Sequence, residues 1–233
     1  MGQKVNPIGF RTGITLDWKS RWYAPKAAYG EFLIEDYRIR GYLDERLNRR
    51  PPYAAVSKIE IERTRNEVRI VLHTARPGLV IGPKGAEVDK LREELEEMFD
   101  RKISLNIVEV KRPDLDAQLV AEGIAEQLKK RVSFRRAMKM RCEATMAAGA
   151  KGVRVLCCGR LGGAEMARRE TQKRGSLPLQ TLQANVSYGF AVAKTTYGTV
   201  GVKVWIYLGK FGDAIEAEAD TERAGRPRRR GRR

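Results

Sequence analysis

Histidine is nearly missing from this sequence. His73 is the only one among 233 residues, and cysteine is limited to Cys142, Cys157 and Cys158, two of them adjacent. Tetrahedral metal ligation needs spaced pairs such as C-x-x-C, or a cluster of imidazoles. Neither pattern occurs, so no metal site is expected. The odd, clustered cysteines suit small buried apolar positions in a reducing compartment better than a disulfide framework. His73 lies in the β-like run "VRIVLHTARPG", where a strand residue is expected rather than a general base. The motifs G-x-S-x-G and H-E-x-x-H, the Walker A loop and the dinucleotide fingerprint are all missing. No catalytic residue, cofactor or small-molecule substrate is expected, and an RNA-modifying or RNA-cleaving enzyme would need a nucleophile or metal cluster that the sequence does not offer.

Long apolar runs are missing as well. No stretch of 18 or more apolar residues exists, and the first residues lack the basic-then-apolar order of a signal peptide. A soluble intracellular chain without a membrane partner is expected. Acidic charge is in short supply relative to basic: 29 Asp and Glu stand against 46 Lys and Arg, a formal net charge of +17. Such an excess repels itself unless a polyanion offsets it, which points to nucleic acid.

Along the chain, residues 1–30 combine Gly, Pro and basic residues without a sustained period and read as an extended arm. From Glu31, the residues Phe32, Ile34, Tyr37, Ile39, Tyr42, Leu43 and Leu47 recur at helical intervals. Two alternating runs follow, "AVSKIEIER" and "EVRIVLHTA", joined through Asn66 as a hairpin. Next come a short helix ending at Ile81, a glycine loop, and a helix with Val88, Leu91, Leu95, Met98 and Phe99 on one stripe. "KISLNIVEV" closes this unit as a third strand. After the linker "KRPDLD", Asp114 reads as the cap of a helix whose apolar face holds Leu119, Val120, Ile124 and Leu128. Ser133 starts a second helix, and the period then changes to two in "KGVRVLCCG", "ANVSYGFAVA" and "GVKVWIYLG". Beyond Asp213 an acidic stretch gives way to an Arg-dense tail, residues 213–233, expected to be disordered in isolation.

Three stretches suit a nucleic-acid partner. The first is Gly82-Pro83-Lys84-Gly85 between two short helices, the G-x-x-G arrangement of a KH fold. Glycine has no Cβ to hold a sugar–phosphate chain away, the following helix points amide N–H groups at the anion, and Lys84 adds positive charge. The outer face of that helix carries Glu87, Asp89, Glu93, Glu94, Glu96, Glu97 and Asp100, so RNA should avoid it. The second is "KKRVSFRRAMKMR", where Arg135, Arg136 and Lys139 fall within a helical arc of about 100°. No acidic residue lies between Glu126 and Glu143 to screen them locally, which favours contact with a phosphate backbone without base reading. The third is "GRLGGAEMARRETQKRGSLP", in which the glycines make a turn and Arg160, Arg168, Arg169, Lys173 and Arg174 decorate the flank of a sheet. That flank is equally a solvated edge or an RNA-facing surface. Tyr188, Tyr197, Trp205 and Tyr207 could stack on bases, although at period-two positions they are ordinary packing residues.

Four separated stretches, "MGQKVNPIGFRTGI", "RPGLVIGPKG", "GRLGGAEMAR" and "TTYGTVGVKVWIYLG", together resemble one family, the bacterial form of the third protein of the small ribosomal subunit. The likeness runs from the first residue to about Gly209. It implies an α+β chain: a type II KH domain over residues 31–110 (core about 39–107), then an α+β domain over residues 111–212 with two helices on a four-stranded, mostly antiparallel sheet. It implies partners as well: small-subunit ribosomal RNA, neighbouring head proteins (the tenth and fourteenth), and messenger RNA at its entrance channel. By position, Arg135, Arg136 and Lys139 would face the message and help open its structure, without nucleotide hydrolysis. Lys4, Arg11, Arg160, Arg168 and Arg169 would add ribosomal RNA contacts. The location implied is the cytoplasmic ribosome. The alternative is a free-standing KH-type RNA chaperone or regulator that binds short strands through residues 82–85.

Overall fold

The computed structural model describes residues 4–49, 52–64 and 67–211; the side chain of Lys84, the hairpin turn at Asn66 and the tail from 213 lie outside the described residues. The chain forms two compact units: a middle unit, Asp17–Pro113, and a split unit that joins the residues up to Leu16 to those from Asp114 onward.

The N-terminal residues are not a plain arm. Asn6 caps a short helix α1 (Pro7–Arg11), its Oδ1 accepting from the amides of Ile8 and Gly9 at 2.9 and 3.5 Å, with Pro7 at the first helical position. Arg11 ends this helix fully buried. Its Nε donates to the Ala184 carbonyl (2.7 Å), Nη1 to Pro7 (3.1 Å), and Nη2 to Leu179 and Thr181 (3.2 and 2.8 Å). Arg11 was expected at an RNA surface; instead its guanidinium donates to four backbone carbonyl oxygens, which pairs the buried cation's donors inside the unit.

The middle unit opens with a two-residue strand β1 (Ser20–Arg21), then helix α2 (Lys26–Asp44), which starts before the expected Glu31 and passes into a π-helical turn over Glu45–Arg49. Strands β2 (Val56–Arg63) and β3 (Glu67–Thr74) form the expected antiparallel hairpin. A bulge between Val56 and Lys58 shifts the register by one, so Val56 and Ile61 both reach the core despite their odd spacing. Helix α3 (Pro77–Ile81), helix α4 (Ala86–Phe99) and strand β4 (Lys102–Glu109) complete the unit. The sheet order is β1-β2-β3-β4, with β4 parallel to β3 and forming an edge.

Ile39, Leu43, Ile61, Ile70, Leu72, Val80, Leu91, Leu95 and Ile103 form its core. The early part of the α2 stripe departs from the expected pattern: Ile34 and Tyr37 are exposed, as is Met98 on α4. Asp36 takes the inward place on α2, because Arg63 Nε (2.6 Å) and Trp22 Nε1 (2.8 Å) both donate to its carboxylate. An ion so paired can be buried where an isolated one could not.

In the split unit Asp116, not Asp114, caps α5 (Ala117–Lys129) by accepting from Gln118 and Leu119 amides. Asp114 stands in a 3-10 turn and pairs with Arg141 on α6 (Phe134–Ala147) at 3.5 Å. Ser133 occupies the α6 cap position without a side-chain bond to the first turn. Strands β5 (Gly152–Gly159), β6 (Arg168–Gly175), β7 (Ala184–Thr195) and β8 (Gly198–Lys210) form an all-antiparallel sheet in the order β6-β5-β8-β7. The basic flank seen in the sequence is thus itself the fourth strand, at an edge. Val153, Val155, Cys157, Val202, Val204 and Ile206 pack beneath Ile124, Leu128, Met138 and Cys142 of the helices. Cys142 and Cys157 are buried, and burial pushes their thiols up to about 11 and about 12.

Candidate nucleic-acid interface

In the middle unit the glycine loop is shaped by two unusual backbone positions. Gly82 has φ 68° and ψ −178°, a combination that only glycine adopts readily, and Gly85 is left-handed at φ 83°. A Cβ on Gly82 would also stand 2.6 Å from Glu87 Cγ and 2.9 Å from its Cβ. Pro83–Gly85 make one 3-10 turn between them and lead directly into α4. The loop therefore presents backbone at the positive end of a 14-residue helix, which favours anions, although the Gly85 and Ala86 amides already donate to the Gly82 and Pro83 carbonyls.

Beside the loop lies a groove of about 530 Å³, lined by Ile81, Gly85, Val88, Asp89, Leu105, Asn106, Ile107 and Val108. Leu105 and Ile107 pack partly against the core and also form the groove's wall, because β4 is the sheet edge. With its amide turned to present the oxygen, Asn106 accepts from Arg69 Nε and Nη2 at 2.9 and 2.8 Å.

The acidic face of α4 is partly committed to structure. Glu94 accepts from the Tyr42 hydroxyl and pairs with Arg46 at 3.5 Å, and Glu96 accepts from the Ile103 amide at 3.0 Å. Glu87 and Asp89 stay in the first turn, where they offset part of the helix's attraction for a phosphate.

In the split unit, α6 turns Ala137, Met138 and Cys142 into the core and leaves Arg135, Arg136 and Lys139 exposed. Arg135 is steadied by Glu170 on β6 (3.5 Å) and lies 5.6 Å from the centre of its neighbour's Phe134 ring. Register then separates two adjacent arginines of β6. Arg168 stands on the α6 side with Glu170, opposite Gly159 and two residues from the pairing with buried Cys157. Arg169 stands on the other face, paired with Cys158. Arg160 is partly committed: its Nε and Nη1 donate to the carbonyls of Ala164 and Tyr197, both at 2.9 Å, tying the loop after β5 to the β7–β8 turn. Lys4 is exposed beside a small cavity that also involves Phe10 and Leu179.

Helical spacing and charge pointed to the α6 cluster, but the sequence offered no signal for the Arg11 clasp or the Asp36–Arg63 pair. Among the described residues no group of His, Cys, Asp and Glu could hold a metal ion, and no helix is long and apolar enough to cross a membrane.

A glycine clamp beside an edge strand, followed by a basic helix on an antiparallel sheet, defines a KH-type RNA-binding protein with a second α+β domain. Two family profiles match accordingly: the KH domain over residues 38–115, and the C-terminal domain of ribosomal protein S3 over residues 124–206. The small ribosomal subunit protein uS3 of Rhodopirellula baltica is 53% identical over 233 residues, covering 99% of this chain and 98% of that protein. Its counterparts from Geobacter sulfurreducens and Agathobacter rectalis are each 56% identical, over 210 and 211 residues, covering 90% of this chain and 97% and 94% of those proteins. The chain belongs to the small ribosomal subunit protein uS3 family, a structural and non-enzymatic one.

Proposed function

We propose that this chain is a structural component of the small ribosomal subunit, bound to ribosomal RNA in the subunit head beside neighbouring proteins (the tenth and fourteenth), and that it grips messenger RNA at the entrance channel. The observation that carries the second half is the α6 cluster. Arg135, Arg136 and Lys139 are exposed together on a helix anchored through its opposite face. Cations on a rigid element can hold phosphates in place without reading bases. Strand opening there would draw on movement of the message through the ribosome. Arg168, on the same side of β6, extends this surface, whereas the Gly82–Gly85 loop serves as an anchor on one backbone segment, because Glu87 and Asp89 crowd its helix terminus.

Replacing Arg135, Arg136 and Lys139 together by Ala should slow translation through a downstream messenger hairpin, while subunit assembly changes little. Read-through equal to that of the unaltered protein would overturn the messenger role. A chain largely absent from the small-subunit peak of a sedimentation gradient would overturn the ribosomal one.

A further inference from the structure

We propose that the face of the split unit's sheet opposite the helices is a stacking platform for a single-stranded segment of RNA. The inference rests on the RNA-binding reading above but concerns a different surface from both the glycine loop and α6. Directly paired residues of antiparallel strands project to the same face. The register therefore sorts the side chains: Val153, Val155 and Cys157 with Val202, Val204 and Ile206 lie under α5 and α6. The other face receives Arg169, Thr171 and Lys173 from β6, and Arg154, Leu156 and Cys158 from β5. From β8 and β7 it receives Lys203 and Trp205 with Phe190 and Tyr188.

Two properties of this face go together. Its rings form a contiguous group: Tyr188 and Trp205 have centroids 5.5 Å apart, and the Arg154 guanidinium carbon lies 5.2 Å from the Trp205 ring centre. Phe190 and Val192 are 46% and 44% exposed, far more than residues that pack a core. Its charge is of one sign. Glu170 is the single acidic residue in the four strands, and it projects to the helix side with Cys157. Arg169 and Lys173 thus face solvent while Arg154 and Lys203 lie half-buried, Arg154 with its Nε shielded, and the four strands project no carboxylate to this face; none of the four forms an ion pair among the described residues.

An apolar sheet face awaiting a protein partner would not need uniform positive charge, and a basic partner would be repelled by it. Flat rings interleaved with cations suit bases that stack while their phosphates meet Lys and Arg.

Binding of the full chain to a fluorescent single-stranded RNA dodecamer across a salt series tests this. Phe190 is exposed, so Phe190→Ala should leave thermal stability unchanged and lower affinity about tenfold. Lys173→Gln with Lys203→Gln should reduce the slope of log K against log salt by about 1.4, near 0.7 for each phosphate no longer neutralised. A dodecamer carrying 4-thiouridine should crosslink to β7 or β8. If the unaltered chain and the α6 triple variant behave as proposed but the sheet variants match the unaltered chain, the platform is overturned and the RNA reading stands. Should the unaltered chain bind no RNA, both fall. If Phe190→Ala spares RNA binding but blocks incorporation into the subunit, the face docks a protein and the platform is again overturned.

Discussion

The two units present opposite features to solvent. The middle unit offers bare backbone, at Gly82 and Gly85, and surrounds it with carboxylates on α4. The split unit offers side-chain charge on stiff elements, with Arg135, Arg136 and Lys139 on a helix and the β6 cations on a strand. The first device depends on shape and should tolerate salt; the second depends on net charge and should weaken steeply as salt rises. Buried arginines repeat the contrast. Arg63 of the middle unit is held by Glu35 and Asp36 at 2.5 and 2.6 Å, whereas Arg11 of the split unit is held by carbonyl oxygens and the Phe10 ring, with no carboxylate. In a chain this rich in arginine, composition cannot say which ones bind RNA and which hold the fold.

The contrast can be broken most forcefully at those two arginines. Arg63→Ala leaves the Asp36 carboxylate buried without its cation and should cost the middle unit about 3–5 kcal/mol. Arg11→Ala removes four hydrogen bonds to neutral carbonyls, a smaller loss of about 2–3 kcal/mol, felt by the split unit. Hydrogen exchange resolved by peptide would show whether protection drops only in the altered unit. A uniform drop in both would mean that the units do not have separate stabilities.

At the next level, Gly82→Ala meets both a forbidden backbone region and the Glu87 side chain and should cost about 3 kcal/mol. Gly85→Ala has open space around its Cβ, bears only the left-handed backbone, and should cost about 1 kcal/mol. Denaturant midpoints measure the pair, and equal losses would show that the approach of Glu87 does not matter.

Much of this architecture was legible because periodicity reports burial. The α5 stripe of Leu119, Val120, Ile124 and Leu128 is all buried, and the β8 alternation of Val202, Val204 and Ile206 falls on one face. The α6 cations were legible for the complementary reason: they stand at helical spacing from a buried stripe. What escaped was whatever depends on distant partners. Nothing near Arg11 announces Leu179 or Ala184, and nothing near Asp36 announces Arg63. Leu105 and Ile107 pack against the core only in part and also line a groove, because alternation fixes the face of a strand and not its place in the sheet. The open platform escaped for a related reason. Arg154, Lys203 and Tyr188 come from three strands, and only cross-strand register gathers them.

The smallest expected effect separates the units by their thiols. All three cysteines lie in the split unit, two of them in its core. Burial raises Cys142 from 9.0 to about 11 and Cys157 from 9.0 to about 12. An unfolded chain gives up these protons near pH 9 while the folded one keeps them, so their contribution is complete below that pH. It is lost as pH rises towards 11 and 12. At pH 9 itself the loss is about 0.4 kcal/mol per thiol, under about 1 kcal/mol together. Pulse alkylation with iodoacetamide, read by mass spectrometry, follows it directly. Cys158 on the open face should react first, and Cys142 and Cys157 should react only through opening of the split unit, faster above pH 9. Exchange protection in the middle unit, which has no cysteine, should show no matching thiol-dependent loss, and replacing Cys142 and Cys157 by Ala should flatten the alkaline decline in the split unit alone. An unchanged decline in that variant would assign the alkaline sensitivity to other groups and remove this distinction between the units.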